Sequence, residues 1–337
     1  MPALRPATVL PLLVVVALPL PAPPGWGSAI DAEKFDVDFA HSEIGFSIRF
    51  MGLTNVRGRF KEYAGTIMYV DKDVAKSTVS VLIQAKSIDT GTEFRDRDLR
   101  GPSFFNVDSF PTILFQSTRI DRTGSGFVAR GPFTLRGVTR EIAIPFTQMH
   151  GKMKDAWGNT RIGFAGSLRL DRTDYGITGS NFWNQFVDLT RMALADTVEI
   201  DLTVEGIIWN FSRRNFPARP GTKSLAEALN QTLDERGLDA ALARYRELQR
   251  DTATYSTGEA QLNTLGYKLL QAGKVAEAIA MFQLNVESFP QSSNVYDSLG
   301  EAYLAKGDRT AARSNYQKAL AMNPQNVGAM EVLRWLN

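Results

Sequence analysis

The spacing of apolar residues changes once along this chain, and that change constrains the fold more than any other feature. From Phe35 to about Phe211, apolar residues recur at every second position in short runs separated by turn signals. After residue 224 they recur with the spacing of a helix. Side chains alternate between the two faces of a strand and repeat every 3.6 residues on a helix. We therefore expect an all-β domain over residues 30–212 and an all-α domain over residues 225–337.

The β pattern is plainest in SEIGFSIRF, which begins at Ser42 and places an apolar residue at every second position. The runs STVSVLIQA and TVEIDLTVEG repeat it, and the turn signals DRTGSG and KDAWG separate further runs of the same kind. Many short strands with one apolar face predict an antiparallel sandwich or barrel.

A short helix is expected within SIDTGTEFRDRDLRG, where Thr90 and Glu93 have the spacing of a capping box. Gly101 and Pro102 follow it. The helix would lie across one end of the sheet, in the position of a lid.

The apolar face of these strands has two possible uses, because a small closed barrel either fills its interior with side chains or holds one ligand. The periodicity alone favours a filled core. Either alternative places the same residues on the interior side, namely Ile44, Phe46, Ile48, Phe50, Val81, Ile83, Phe104, Phe105, Ile113, Phe115, Phe133, Leu135, Ile142 and Phe164.

The helical half contains an internal repeat. Residues 265–290 align with residues 299–324 at an offset of 34 positions, and the alignment matches glycine, alanine, aromatic and proline positions. This pattern resembles the tetratricopeptide repeat, in which small residues let two helices approach and an aromatic ring fills the space between them. We place repeats at about 262–295 and 296–329, a divergent helix pair at 225–250, and a capping helix in VGAMEVLRWLN. The Pro-rich and Arg-rich residues 213–224 are interpreted as an interdomain linker.

Residues 1–29 are interpreted as a cleavable signal peptide. An arginine precedes an uncharged apolar run of 13 residues, and a small-residue sequence ending at Ala29 follows. The alternative is a retained anchor, but a spanning helix needs about 20 apolar residues. The chain also has no cysteine and therefore no disulfide framework. We expect a periplasmic or secreted protein with no stable membrane span after cleavage.

Catalytic and metal-binding signals are sparse. The chain has two histidines, no cysteine, and none of the usual hydrolase, zinc or nucleotide motifs. His41 is expected to satisfy its ring on the backbone, and the acidic pairs Asp96/Asp98 and Asp171/Asp174 are expected to be solvated. With 38 basic and 36 acidic residues, nothing indicates a nucleic-acid partner. We therefore predict no catalytic residue and no metal site.

Three arginines of the predicted short helix have two alternative interpretations. Arg95, Arg97 and Arg100 are either surface charges paired with neighbouring acidic residues or contacts for an anionic headgroup at the mouth of the barrel.

The order of the segments in the β half resembles the YceI-like proteins, bacterial envelope proteins that bind polyisoprenoid-type lipids. FDVDFAHSEIGFSIRFMGLTNVRGRF, SIDTGTEFRDRDLRGPSFFNVDSFPTILFQST, GPFTLRGVTREIAIPF, LRLDRTDYGI and DTVEIDLTVEG carry the resemblance. It implies an extended, lipocalin-like antiparallel barrel whose apolar interior takes a prenyl or fatty chain without catalysis. Where family members often carry a histidine, this chain has Phe50 and Asp98.

Taken with this resemblance, the sequence predicts a lipid-binding barrel with no cofactor other than its lipid. The helical domain would bind an envelope protein or peptide, or would serve only solubility or dimerisation. One alternative is an envelope scaffold in which the barrel is merely structural and the repeats bind the partner. Another is an enzyme that acts on a prenyl chain through Asp98 and its neighbouring arginines.

Overall fold

The computed structural model describes residues 32–179 and 194–336. The signal peptide predicted at residues 1–29 lies outside the described residues. The change of period marks a change of fold, as the sequence predicts, because strands precede Ile208 and helices dominate after Ser224. The strands of the first part are β1 (Glu33–Val37), β2 (Glu43–Phe50), β3 (Thr54–Phe60), β4 (Tyr63–Tyr69), β5 (Thr78–Gln84), β6 (Ile88–Asp89), β7 (Thr112–Gln116), β8 (Arg119–Arg122), β9 (Phe127–Leu135), β10 (Val138–Lys154), β11 (Thr160–Asp171) and β12 (Leu194–Ile208).

Eight of these strands close into an antiparallel barrel in the order β1, β4, β5, β7, β9, β10, β11, β12. The ring closes where Ile207 of β12 pairs with Asp36 of β1. Farther back along β12, Ile200 pairs with Phe46 of β2, and β3 and β6 extend the wall at that end. Closure leaves no free edge along most of the barrel and directs one face of every strand inward.

A short helix, α1 (Glu93–Arg100), lies at one end of the barrel, where the sequence predicts a lid. The capping-box prediction was wrong, because Thr92 is the N-cap residue and makes no side-chain capping bond. Thr90 instead donates its hydroxyl hydrogen to Asp96 Oδ1 over 2.5 Å, and its backbone N–H donates to the same oxygen over 2.9 Å. Asp96 is therefore buried, contrary to the expectation that it is solvated. Its carboxylate fixes the chain that enters the helix.

The second part is a stack of antiparallel helix pairs. Its helices are α2 (Leu225–Arg236), α3 (Leu238–Leu248), α4 (Glu259–Gln271), α5 (Val275–Ser288), α6 (Ser293–Lys306), α7 (Arg309–Met322) and α8 (Val327–Leu336). A Cβ atom on Gly266 of α4 would lie 2.5 Å from Phe282 Cε1 of α5, so only glycine allows this close approach. The repeat pattern therefore predicts the packing correctly.

The residues interpreted as a linker end in a short strand. Lys223 and Ser224 form β13 (Lys223–Ser224), which pairs in parallel with β14 (Tyr255–Ser256). Ser224 also caps α2, because its hydroxyl oxygen accepts a hydrogen bond from the N–H of Glu227. This end of the segment is thus held by the helical part.

The helical part packs on the outside of the barrel, mainly through α8. Glu331 of α8 accepts hydrogen bonds from the hydroxyls of Thr78 and Ser80 on β5. Arg334 lies 2.7 Å from Glu331 Oε2 and donates to the carbonyl of Ser117 over 2.6 Å. Both charged side chains are almost completely buried. The two domains therefore share a polar interface that is shielded from water.

An apolar layer continues the same interface. Ala32, Met68 and Val70 of the barrel pack in one cluster with residues of α6, α7 and α8. Among the described residues, no helix is long and apolar enough to cross a bilayer.

Candidate functional site

The barrel encloses a cavity of about 490 Å³. Its wall consists of inward side chains from β2, β3, β5, β7 and β9–β12, with α1 and the segment before residue 179 at one end. Phe46, Ile48 and Phe50 line this space and are only partly buried. The interior is therefore hollow, and the expectation of a filled core drawn from periodicity alone was wrong.

Most of the interior residues expected from the sequence lie on this wall. They are Ile44, Phe46, Ile48, Phe50, Val81, Ile83, Phe104, Phe105, Ile113, Phe115, Phe133, Leu135 and Ile142. Phe164 lines a second space of about 110 Å³, which lies toward the other end of the barrel. The two spaces share five lining residues, namely Val81, Phe115, Ile144, Leu202 and Val204.

The wall also contains residues that the sequence analysis did not select. The largest group comes from β11 and β12, and it comprises Leu168, Leu170, Val198, Ile200, Leu202 and Val204. Their alternation is visible in the sequence, so the same period-two signal identifies them. Tyr175 ends a short 3-10 helix (Arg172–Tyr175) and Ile177 follows it, and no periodic signal marks them.

Polar groups on the wall cluster near α1 and the chain that precedes residue 179. They are Thr90, Thr92, Arg95, Asp98, Arg172 and Thr178. Arg95 donates to Thr90 Oγ1 over 2.7 Å and to the Thr90 carbonyl over 2.8 Å. Its guanidinium is thus oriented by neutral oxygens. A chain inside the cavity would meet apolar side chains along its length and polar groups at one end.

The other two arginines expected near a headgroup do not line the cavity. Arg100 donates to the carbonyls of Lys86 and Ile88 and lies 3.4 Å from Glu93 Oε1. Arg97 is exposed on the outer side of α1. Of the three arginines, the structure therefore places only Arg95 on the wall.

Arg172 ties the end of β11 to the start of β12. It donates to the carbonyls of Ile177 and Ala195 and lies 3.0 Å from Asp196 Oδ1. Burial lowers the pKa of this guanidinium, although Asp196 and Asp171 oppose the effect. Its donors are used within the protein, so its main effect is to fix the backbone beside the cavity.

A second polar cluster lies outside the cavity, where β1, β11 and β12 meet. His41 Nδ1 is 2.8 Å from Asp38 Oδ2, so the expectation that a backbone group satisfies this ring was wrong. Asp38, His41 and Glu205 are close enough to share a cation. The Arg161 guanidinium already bonds both Asp38 and Glu205, and it also lies 2.7 Å from Asp155 Oδ2. An internal arginine thus compensates part of the negative charge of the cluster.

Comparisons with known proteins cover both parts of the chain. Residues 35–206 match the YceI-like domain, and residues 293–326 match the tetratricopeptide repeat. A UPF0312 protein of Yersinia pestis is 35% identical over 182 residues, which are 54% of this chain and 89% of that protein.

Solved structures match the barrel as well. BcnA of Burkholderia cenocepacia covers 50% of this chain and 98% of its own, with 19% identity and a TM-score of 0.43. A polyisoprenoid binding domain from Saccharophagus degradans covers 51% of this chain and 97% of its own, with 16% identity and a TM-score of 0.37.

Proposed function

Because the chain belongs to the YceI-like family through residues 35–206, we propose that its barrel is a carrier for one polyisoprenoid or other long-chain lipid. The observation that carries this proposal is the hollow interior, whose wall is apolar along its length and polar near α1. This distribution suits a ligand with a long apolar chain and a small polar end. The carrier binds its lipid and performs no reaction on it.

The size of the cavity supports the proposal. Its volume of about 490 Å³ is within the roughly 300–1,000 Å³ that small-molecule sites occupy. Each CH₂ group that leaves water for an apolar wall contributes about 0.8 kcal/mol. A chain of several isoprene units would therefore be retained by burial alone, without a charged anchor.

We place this carrier in the cell envelope, in the periplasm or outside the cell, on the basis of the apolar leader at residues 1–29. A carrier is useful there because a long prenyl or acyl chain does not cross an aqueous compartment unaided. The absence of cysteine is compatible with folding in an oxidising compartment.

The helical domain is proposed to bind a protein or peptide of the envelope. Tyr267 of α4 and Asp297 and Glu301 of α6 already face the barrel, because Lys34 of β1 lies 3.1 Å from Glu301 Oε2 and 3.7 Å from Asp297 Oδ2. A partner would therefore meet surfaces of the helices that the barrel leaves open. Repeats of this type present such surfaces as extended binding sites.

Native mass spectrometry of the full chain, purified from its own envelope without detergent, tests the carrier function. We expect a stoichiometric added mass that solvent extraction identifies as a prenyl or acyl lipid. Ile142→Glu places a carboxylate in the cavity and should abolish this mass. Ala143→Glu is the matched control, because Ala143 alternates to the outer face opposite Arg130. A clean apo mass with no uptake of added prenyl lipid would falsify the proposal.

A further inference from the structure

The turn between β2 and β3 exposes apolar side chains where a hairpin normally carries polar ones. Leu53 N–H donates to the Phe50 carbonyl over 3.0 Å, and Met51 and Gly52 between them have φ values of 51° and 68°. Two successive positive φ angles are typical of a type I′ turn, which favours Asn-Gly or Asp-Gly. Methionine is a poor residue for this backbone. The turn therefore carries Met51 at a cost in backbone energy.

Both apolar side chains of the turn are exposed. Leu53 is 79% exposed and Met51 is 39% exposed. Phe94 of α1 is 71% exposed and nevertheless lines the cavity, as does Phe50 at the base of the turn. We define Met51, Leu53 and Phe94 as the rim. Of these three residues Phe94 also lines the cavity, and Met51 and Leu53 closely follow the lining residue Phe50 in the chain.

The position of α1 brings the rim together at one end of the barrel. Asp89 of β6 pairs with Arg59 of β3 in antiparallel register, so the chain after β6 runs back toward the β2–β3 turn. A Cβ atom on Gly58 would lie 2.8 Å from Thr90 Cγ2, which fixes this segment against β3. Phe94 lies four residues after Thr90, at the end of the barrel that carries the β2–β3 turn.

The charges beside the rim are predominantly positive. Residues 49–57 contain Arg49 and Arg57 and no acidic residue, and α1 adds Arg95 and Arg97. Arg49 donates to the Gly52 carbonyl over 3.1 Å. Within residues 32–179 and 194–336, none of these four guanidinium groups forms an ion pair with a carboxylate. Three acidic residues on α1 offset part of the charge, but Asp96 is buried against Thr90.

We propose that the rim docks on a lipid membrane with anionic headgroups, so that a chain passes between the bilayer and the cavity without entering water. Exposed apolar side chains that enter the interface, flanked by cations that meet lipid headgroups, are the features by which a protein lies on a membrane. The inference rests on the proposed carrier function and identifies the surface that exchanges the cargo.

Flotation of the full chain with lipid vesicles tests the docking. We expect binding to vesicles of phosphatidylcholine mixed with phosphatidylglycerol, weaker binding to phosphatidylcholine alone, and loss of binding at high salt. The double variant Leu53→Ser/Phe94→Ser should bind about tenfold more weakly, because it removes apolar area from the contact. Trp157→Ser is the matched control, since Trp157 is 70% exposed on the β10–β11 turn at the opposite end.

Met51→Asn separates the docking role from any effect on folding. Asparagine suits the type I′ turn, so this variant should unfold at the same or a higher temperature and still bind vesicles more weakly. Equal vesicle binding by Met51→Asn, the double variant and the wild type would overturn the proposal. Self-association through the rim without vesicle binding would also overturn it.

A fluorescent prenyl probe, added without vesicles, distinguishes failure of the docking from failure of the carrier. Uptake of the probe without vesicle binding would reject the membrane surface and leave the carrier function intact. Vesicle binding that the rim variants weaken, without uptake of the probe, would support the surface and reject the carrier. Met51→Asn should retain uptake of the probe in solution, because Met51 does not line the cavity and the wall is unchanged in this variant.

Discussion

Lys34 Nζ of the barrel lies 3.1 Å from Glu301 Oε2 of the helical domain, in a contact that is largely shielded from water. Burial by itself lowers the pKa of Lys34, but Glu301, Asp297 and Asp36 outweigh it and raise that pKa well above its usual value. The lysine is therefore charged in the folded protein. The ion pair orients the two domains, because a shift of either one would leave a buried charge without its partner.

Glu331→Ala should disrupt the interface between α8 and β5. It should therefore lower the free energy of unfolding more than an exposed substitution in the helical domain does. It leaves Arg334 buried without its carboxylate and removes the acceptor of Thr78 and Ser80. Breaking one side of a buried pair costs about 3–5 kcal/mol. Urea unfolding measures the loss, and Glu287→Ala on the exposed side of α5 is the control. Equal unfolding midpoints for the two variants would contradict the stabilising role of the interface between α8 and β5.

Acid should destabilise the end of the barrel that contains Arg161. Burial by itself raises the pKa of Asp155, but hydrogen bonds from Arg161 and Asn159 outweigh it and lower that pKa to about 2. The folded-state pKa is below the unfolded value, so this stabilisation is present above about pH 4 and is lost as the pH falls toward 2. Asp155→Asn should flatten the pH dependence of the unfolding temperature in that window. The exposed Asp108→Asn serves as control, and an unchanged slope in Asp155→Asn would contradict the assignment.

Gly266→Ala should destabilise the helical domain, whereas Gly300→Ala should change its stability little. A new Cβ at 266 would lie 2.5 Å from Phe282, while one at 300 would lie 3.1 Å from Tyr316. Overpacking costs about 1–3 kcal/mol, against a gain of about 0.5–1 kcal/mol for alanine over glycine in a helix. Chemical denaturation of both variants provides the comparison. A reversed order of stability would show that Tyr316 yields less readily than Phe282.

Gly58→Ala should reduce the affinity of the cavity for a prenyl probe without adding a polar group. The new Cβ would lie 2.4 Å from Phe46 Cζ, so the phenyl ring must move, and the free space is on its cavity side. Gly45→Ala on the neighbouring strand is the control, because its nearest contact is 3.4 Å away at the end of a glutamate side chain. Probe titration measures the difference. Identical affinities for the two variants would place the ligand away from Phe46.

Much of the fold follows from the sequence because the two halves differ in period. The alternation of Ile44, Phe46 and Ile48 requires one apolar face, and the spacing of Gly266 and Phe282 requires paired helices. The same alternation does not reveal whether the face is packed or hollow, since that depends on the diameter that eight strands produce. The resemblance to a family supplied what periodicity could not.

The polar contacts were harder to predict because the burial of the groups that make them depends on distant parts of the chain. Asp96 and His41 are bonded to residues a few positions away, yet their burial depends on the strands that surround them. Glu331 resembles any surface glutamate of an amphipathic helix until β5 is placed beside it. Arg97 and Arg95 are two positions apart, and only the orientation of α1 separates an exposed residue from one on the wall.

The interface between α8 and β5 joins two parts of the chain that are synthesised at different times. Thr78 and Glu331 are 253 positions apart, so β5 is synthesised well before the helix that covers it. Contacts over such a separation form late, because closing a long loop is entropically unfavourable. The side of β5 that waits for α8 carries threonine and serine hydroxyls, which water can solvate in the meantime. Until α8 docks, this face of the barrel therefore presents a strip of hydroxyls on β5 beside the apolar side chains of Met68 and Val70.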